Sequence, residues 1–174
     1  MIERVIIATD GSEHARKAVA LGSDLAEKYD AEVVLVHVLL RDHLSDAMRH
    51  LAEVEYHAEG KSLSEAFSAF LDARFPLAQA LPKGAVSPSD ALAAVVDFVL
   101  TEAEGIAHGH GATKVSRRTE DGNPASPILE VAEELNADMI VTGARGLSDL
   151  KALMVGSVSH RLTNTAPMTC VTVR

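Results

Sequence analysis

The chain has 174 residues, of which 47% are hydrophobic, 24% charged and only 3% aromatic, with no Trp, two Tyr and four Phe. That composition fits one globular domain with a core of Val, Ile, Leu and Ala, and argues against a base-stacking nucleic-acid surface. Sixteen basic against 25 acidic residues leave a net charge of −9, a poor non-specific match for DNA or an anionic membrane, so any polyanion must be held locally.

Arg4 to Ala8 (RVIIA) is a β-branched run that ends in Thr9-Asp10-Gly11-Ser12, which predicts a buried strand and a turn. Ser12 is placed to cap a helix in which Ala15, Ala18, Val19, Gly22, Leu25, Ala26 and Tyr29 recur at helical spacing. Glu32 to Val38 (EVVLVHV) is nearly all apolar, as a strand covered on both faces should be. Residues 41–110 contain no convincing strand. Apolar stripes over Leu40 to Ala58 and Leu63 to Leu71 precede a loop, Phe75 to Ser87, that holds Pro76, Pro82 and Gly84. Ser87-Pro88-Ser89-Asp90 then opens a helix to about Glu104. A doubly wound sheet needs one crossover helix here, so we read the Pro88 helix as the crossover and residues 43–87 as a helical insertion.

Ala112 to Arg118 is half-polar, the pattern of a strand near a sheet edge. Gly122-Asn123-Pro124 is a turn, and Ser126-Pro127 opens a helix to about Asn136. Asp138 to Thr142 is a strand, Gly143 to Gly156 a loop, Ser157 to Asn164 a helix and Met168 to Val173 a last strand. This alternation predicts an α/β fold, an open, doubly wound parallel sheet in a single domain. Cys170 is the only cysteine, so an intrachain disulfide and a Cys-based zinc cluster are excluded, and its apolar strand predicts a buried, inert thiol. No signal peptide fits the first residues and no run approaches 18 apolar residues, from which we expect a soluble cytoplasmic protein.

Ligands of open parallel sheets bind at the carboxyl ends of the strands, at the switch point. Two loops there have suitable chemistry. One is Ala8-Thr9-Asp10-Gly11-Ser12. The other runs from Gly143-Ala144-Arg145-Gly146 through nine residues to Gly156-Ser157-Val158-Ser159. Glycines let the backbone approach a ligand, successive amides form an anion-binding concavity, and a helix start at Ser157 favours phosphate. Ser157 and Ser159 add hydroxyl donors, and Asp10 suits a ribose hydroxyl or a metal-bound water. The residues alone describe a mononucleotide site without a Walker lysine.

The pattern G-x-x-G, nine residues, G-S resembles the nucleotide-binding signature of the universal stress protein family. Asp10-Gly11-Ser12 after the first strand, the strand ending in His37-Val38, the Gly122-x-Pro124 turn and the closing strand are also similar to this family. The resemblance covers about 1–42 and 88–174. It implies five parallel strands in the order 3-2-1-4-5, a Rossmann-like arrangement, and a homodimer paired through the last strand, Met168 to Val173. It further implies ATP as ligand, with Mg2+ carried on the phosphates. Asp10 would meet the ribose, with Ala8 and Thr9 beside it, and Val38 would line the adenine pocket. Gly143, Gly146, Gly156, Ser157, Val158 and Ser159 would meet the phosphates, while Arg145 falls at a variable position of the loop.

Other readings compete. The glycines could serve only as turns, in which case the chain is a nucleotide-independent dimeric interaction protein of the same fold. An adenylyltransferase or flavin carrier would need an HxGH box or a pyrophosphate loop, and His108-Gly109-His110-Gly111 has the wrong order for the first. His43, His50 and His57 recur every seven residues, roughly 10 Å apart on a helix, too far for one ion. Ser157 has no evident base beside it, so we expect no catalytic nucleophile and at most slow ATP hydrolysis. Five of the six aromatics lie between residues 41 and 100, so the adenine pocket must be aliphatic. The expected protein is thus an ATP-dependent regulatory dimer of a stress response, with a protein partner that the sequence does not identify.

Overall fold

The computed structural model describes residues 1–39, 88–146 and 156–174. The proposed insertion, the histidines at 43, 50 and 57 and the nine residues after Gly146 lie outside the described residues. The chain divides into two compact units, residues 1–39 with 96–174 and residues 40–95. The first unit carries the sheet and is the one described below.

Five strands form that sheet: β1 (Arg4–Ala8), β2 (Glu32–Leu39), β3 (Val115–Asp121), β4 (Met139–Gly143) and β5 (Thr169–Val173). All neighbours are parallel and the order is β3-β2-β1-β4-β5, as the family resemblance implies. Helices α1 (Glu13–Tyr29), α2 (Pro88–Gly109), α3 (Ala125–Glu134) and α4 (Ser157–Thr165) connect them in βα alternation. Ile6 pairs with Val34 and Ile140, and Ala8 with Val36 and Thr142. The even-numbered side chains Ile6, Ala8, Val34, Val36 and Ile140 therefore share one face. They pack with Ala125, Ile128, Val131 and Ala132 of α3 and Leu162 of α4. Alternate residues Val5, Ile7, Val33, Leu35 and Val141 are as fully buried, which accounts for the unbroken apolar runs of β1 and β2.

Helix α1 begins where expected. Ser12 is extended and its Oγ accepts from the Ala15 N–H at 3.2 Å. The helix ends at Asp30, whose φ of 55° is left-handed and whose N–H bonds the carbonyls of Ala26 and Glu27. At the amino-terminal rim of the sheet, the Asp138 carboxylate accepts from the amides of Glu3 at 2.6 Å and Arg4 at 3.0 Å. Those two bonds hold its pKa below the usual 3.8 and tie β4 to β1.

Most boundaries shift by a residue or two, and three differ in an instructive way. Strand β3 runs from Val115 to Asp121, not from Ala112 to Arg118. Its outward residues are polar, so the apolar signal stops early, but pairing with β2 continues to Leu39↔Asp121. Helix α2 passes through Gly105 to Gly109, because Ala103 and Ala107 extend its buried stripe of Val96, Val99 and Leu100. Helix α3 starts at Ala125, with Pro124 in the cap position and no side-chain cap bond, so Ser126 is inside the helix and does not cap it. Cys170 differs as well. It is half-buried, because β5 is an edge strand, and burial raises its thiol pKa. Among the described residues no helix is long and apolar enough to cross a membrane.

Candidate functional site

With every strand parallel, all five carboxyl ends lie along one rim. The chain leaves β1 toward β2 and β3 on one side and enters β4 and β5 on the other. The rim between β1 and β4 is the switch point, where the connections diverge and leave a crevice. The two loops singled out in the sequence flank it.

The β1 loop is held by its own backbone. The Thr9 N–H donates to the Val36 carbonyl at 2.9 Å, extending the β1–β2 pairing by one residue. Gly11 follows at φ 80°, and the Asp10 Oδ1 accepts from the Ser12 N–H at 3.0 Å, the short-range turn that Asp favours. Ala8 and Thr9 are buried at 8% and 6% exposure, and Asp10 is half-buried.

The β4 loop meets it directly. A Cβ on Gly143 would lie 2.8 Å from the His14 carbonyl carbon and 2.9 Å from the Ala15 nitrogen. The first turn of α1 therefore rests on the bare backbone at the end of β4. A Cβ on Gly146 would lie 2.5 Å from the Asp10 Oδ2, so the absence of a side chain there is what lets the Asp10 carboxylate come against the turn. Ser12 Oγ donates to the Arg145 carbonyl at 3.3 Å, a second tie between the loops. The spacing of the glycines thus brings Asp10, Gly143 and Gly146 together, with Arg145 between the last two.

Helix α4 presents its start to the same rim. Its first internal hydrogen bond runs from His160 N–H to the Gly156 carbonyl at 3.0 Å, and no side chain caps it. The amides of Ser157, Val158 and Ser159 precede that first bond and carry the positive end of the helix dipole. Ser157 is exposed and Val158 packs on the even-numbered core. Gly156 and Ser159 are used differently. The Gly156 N–H donates to the Ala144 carbonyl at 2.7 Å. The Ser159 hydroxyl, 1% exposed, donates to the carbonyls of Gly156 at 3.0 Å and Ala144 at 3.2 Å. These bonds tie the stem of the loop to the end of β4.

Val38 lies near the end of β2 with its side chain on the even-numbered face, partly buried against that core. Its neighbour His37 points to the opposite face, and its Nδ1 lies 2.8 Å from the Thr9 carbonyl. A carbonyl only accepts, so Nδ1 carries the hydrogen. Burial lowers the His37 pKa below 6.5, outweighing the opposing effects of that bond and of the Asp10 charge. Sequence reasoning noted His37 only as part of the family resemblance and gave it no role in the site; the signal it left is one imidazole in a mostly apolar strand.

His108 and His110 lie away from this rim, at the end of α2. The His108 Nδ1 is 2.8 Å from the Ala112 carbonyl, and the His110 Nδ1 is 2.8 Å from Asp24 Oδ1. Among the described residues no three His, Cys, Asp or Glu side chains gather as a metal cluster.

The fold and the rim define an open parallel α/β protein whose strand order reverses between β1 and β4. The sequence profile of the universal stress protein family matches residues 1–174, and the chain belongs to that family. The match is wider than the resemblance over 1–42 and 88–174. Over 169 residues the chain is 30% identical to the stress response protein NhaX of Bacillus subtilis, covering 92% of this chain and 91% of that one. A putative universal stress protein of Staphylococcus haemolyticus is 28% identical over 173 residues, covering 99% and 84%. A crystal structure of a universal stress protein in complex with cAMP superimposes with a TM-score of 0.61 at 20% identity, over 99% of this chain and 97% of that one. The universal stress protein of Archaeoglobus fulgidus in complex with dAMP gives 0.60 at 18% identity, over 100% and 98%. At these identities the two superpositions speak for the fold.

Proposed function

We propose that this chain is a cytoplasmic ATP-binding regulatory protein of the stress response that works as a homodimer. The observation that carries this reading is the convergence of Asp10 with Gly143 and Gly146 at the switch point, beside an uncapped helix start. In this reading the Asp10 carboxylate takes the ribose, with Ala8, Thr9 and Val38 lining an aliphatic adenine pocket. The amides from Arg145 and Gly146 and from Ser157, Val158 and Ser159 take the phosphates, while Gly143, whose own amide stays in the ladder to β1, lets α1 close on the loop. Gly156 and the Ser159 hydroxyl hold the loop stem in place. Mg2+ would ride on the phosphates. Related structures bearing cAMP and dAMP support an adenine nucleotide as ligand. The reading is one of binding and signalling, with hydrolysis at most slow.

The dimer reading rests on the unlike edges of the sheet. Strand β3 carries Arg117, Arg118, Glu120 and Asp121, and a charged edge discourages strand pairing. Strand β5 reads TCVTV, uncharged and extended, and is the edge fit to pair with a second copy.

Isothermal titration with Mg-ATP tests the reading. Saturable binding of one nucleotide per chain is expected, with stabilisation of about 2.7 kcal/mol at a hundredfold excess over Kd. Gly146→Ala should weaken ATP by about tenfold or more, because the new methyl displaces the Asp10 carboxylate. Absence of both heat and thermal shift at millimolar ATP sinks the reading.

A further inference from the structure

The Thr9 residue is gripped at both ends. Its N–H donates to the Val36 carbonyl at 2.9 Å, and its carbonyl accepts from His37 Nδ1 at 2.8 Å. The first bond continues the backbone ladder. The second replaces the next rung by a side chain, just where β1 turns away into its loop. The Thr9 carbonyl belongs to the same planar peptide unit as the Asp10 N–H and ends at the Asp10 Cα. Fixing that carbonyl therefore fixes where the Asp10 carboxylate starts from. The ring is suited to the task. It is part-buried, its Nδ1–H tautomer is set by the carbonyl it serves, and it stays neutral to a lower pH than an ordinary histidine.

The geometry points to His37 as a positioning residue that sets the Thr9–Asp10 peptide and, through it, the direction of the Asp10 carboxylate. The ligand half of this inference rests on the nucleotide-binding reading above. His37 itself touches no ligand. Its contribution is to recognition of the ribose hydroxyls, exerted from the opposite face of the sheet to Val38.

Two variants separate this from a general packing role. His37→Leu removes the donor, whereas His37→Asn keeps an N–H donor close to the Nδ1 position. The first measurement needs no ligand. Amide hydrogen exchange at Ser12, which is bonded to Asp10 Oδ1, should quicken at least about fivefold in His37→Leu. It should return toward the wild-type rate in His37→Asn, with Val5 to Ile7 of β1 unchanged in both. The second compares ATP with 2′,3′-dideoxy-ATP. His37→Leu should weaken ATP by about tenfold, leave the dideoxy nucleotide nearly unaffected, and be rescued by His37→Asn.

Unchanged exchange at Ser12 in His37→Leu overturns the inference, and so does an equal loss for both nucleotides. If wild type binds neither nucleotide while Ser12 exchange responds as described, the ATP reading fails and the positioning of Asp10 stands. Should His37→Leu not fold, the same readings are taken on His37→Gln, whose amide reaches the Nε2 position and leaves the Nδ1 position without a donor; it must then behave as His37→Leu is expected to.

Discussion

His37 also makes the stability of the chain depend on pH. Burial lowers its pKa below 6.5 in the folded chain, whereas in the unfolded chain the ring titrates near that value. The folded state therefore favours the neutral ring. The stability His37 contributes is complete above 6.5 and is lost as the pH falls through the lower folded-state value. Urea unfolding followed between about pH 7.5 and about pH 5 should show wild type losing stability more steeply than His37→Asn. Parallel curves would show that the ring is as free to protonate in the fold as outside it. Single residues of the site were unevenly readable in the sequence. Asp10, Gly143 and Gly146 announced themselves through residue type and spacing, because turn chemistry is local. The internal use of the Ser159 hydroxyl and the Gly156 amide was not readable, since Ala144 is brought to them only by the return of the chain. His37, noted only in the family resemblance, was given no role for the same reason: its partner, Thr9, is 28 positions away.

Helix α4 shows how an element can be simple to find and still depend on one contact. Its buried residues are Ser159 and Leu162, and Leu162 is completely enclosed. Leu162 packs with Ile140, Ala125 and Ile128 on the even-numbered core, so it sets how the helix start is aimed at the rim. Leu162→Ala should destabilise the fold by about 2–5 kcal/mol in urea or thermal unfolding. It should also weaken nucleotide binding at a temperature where the variant is still folded. A stable variant with altered binding, or a destabilised one with wild-type binding, would separate the two roles assigned to the helix. Strand β3 is the opposite case. Apolar patterning located it but not its limits, because the burial that produces such a pattern is absent along most of an edge strand. Backbone pairing with β2 carried it three residues further, to Asp121. The continuation of α2 past Gly105 was hidden in turn by a residue that usually interrupts helices, although Ala107 keeps its buried stripe intact.

At the level of the whole molecule, the order of the strands was implied by family resemblance and not by any pattern within the strands, since periodicity says which face is buried and nothing about neighbours. The pairing edge can be addressed through backbone direction. The N–H and C=O of one strand residue point to the same side and alternate along the strand. Val173 points its carbonyl toward Ala144 of the β4 loop, at 2.6 Å, so Cys170 and Thr172 present their amides to the open side of β5. Thr172→Pro removes one outward donor while leaving the bonds to β4 in place, and proline is tolerated at sheet edges. The proposed dimer should become a monomer by light scattering, with the far-ultraviolet circular dichroism of wild type. A wild type that is itself monomeric would overturn the dimer reading, and a dimer untouched by this change would place the interface elsewhere.

The charges along β3 have one more consequence. Arg118 pairs with Glu134 at 2.7 Å, and Arg117 is held between Glu104 and Asp97 of α2, so the ionic groups on that border are already matched within the chain. A strand arriving there would have to break up those matched pairs and desolvate them. Copies joining at β5 would bring two such borders to the outside and offer no further place to add. In the proposed dimer, polymerisation would then terminate after a single step, and a sheet that could propagate without limit would be confined to a particle of fixed size.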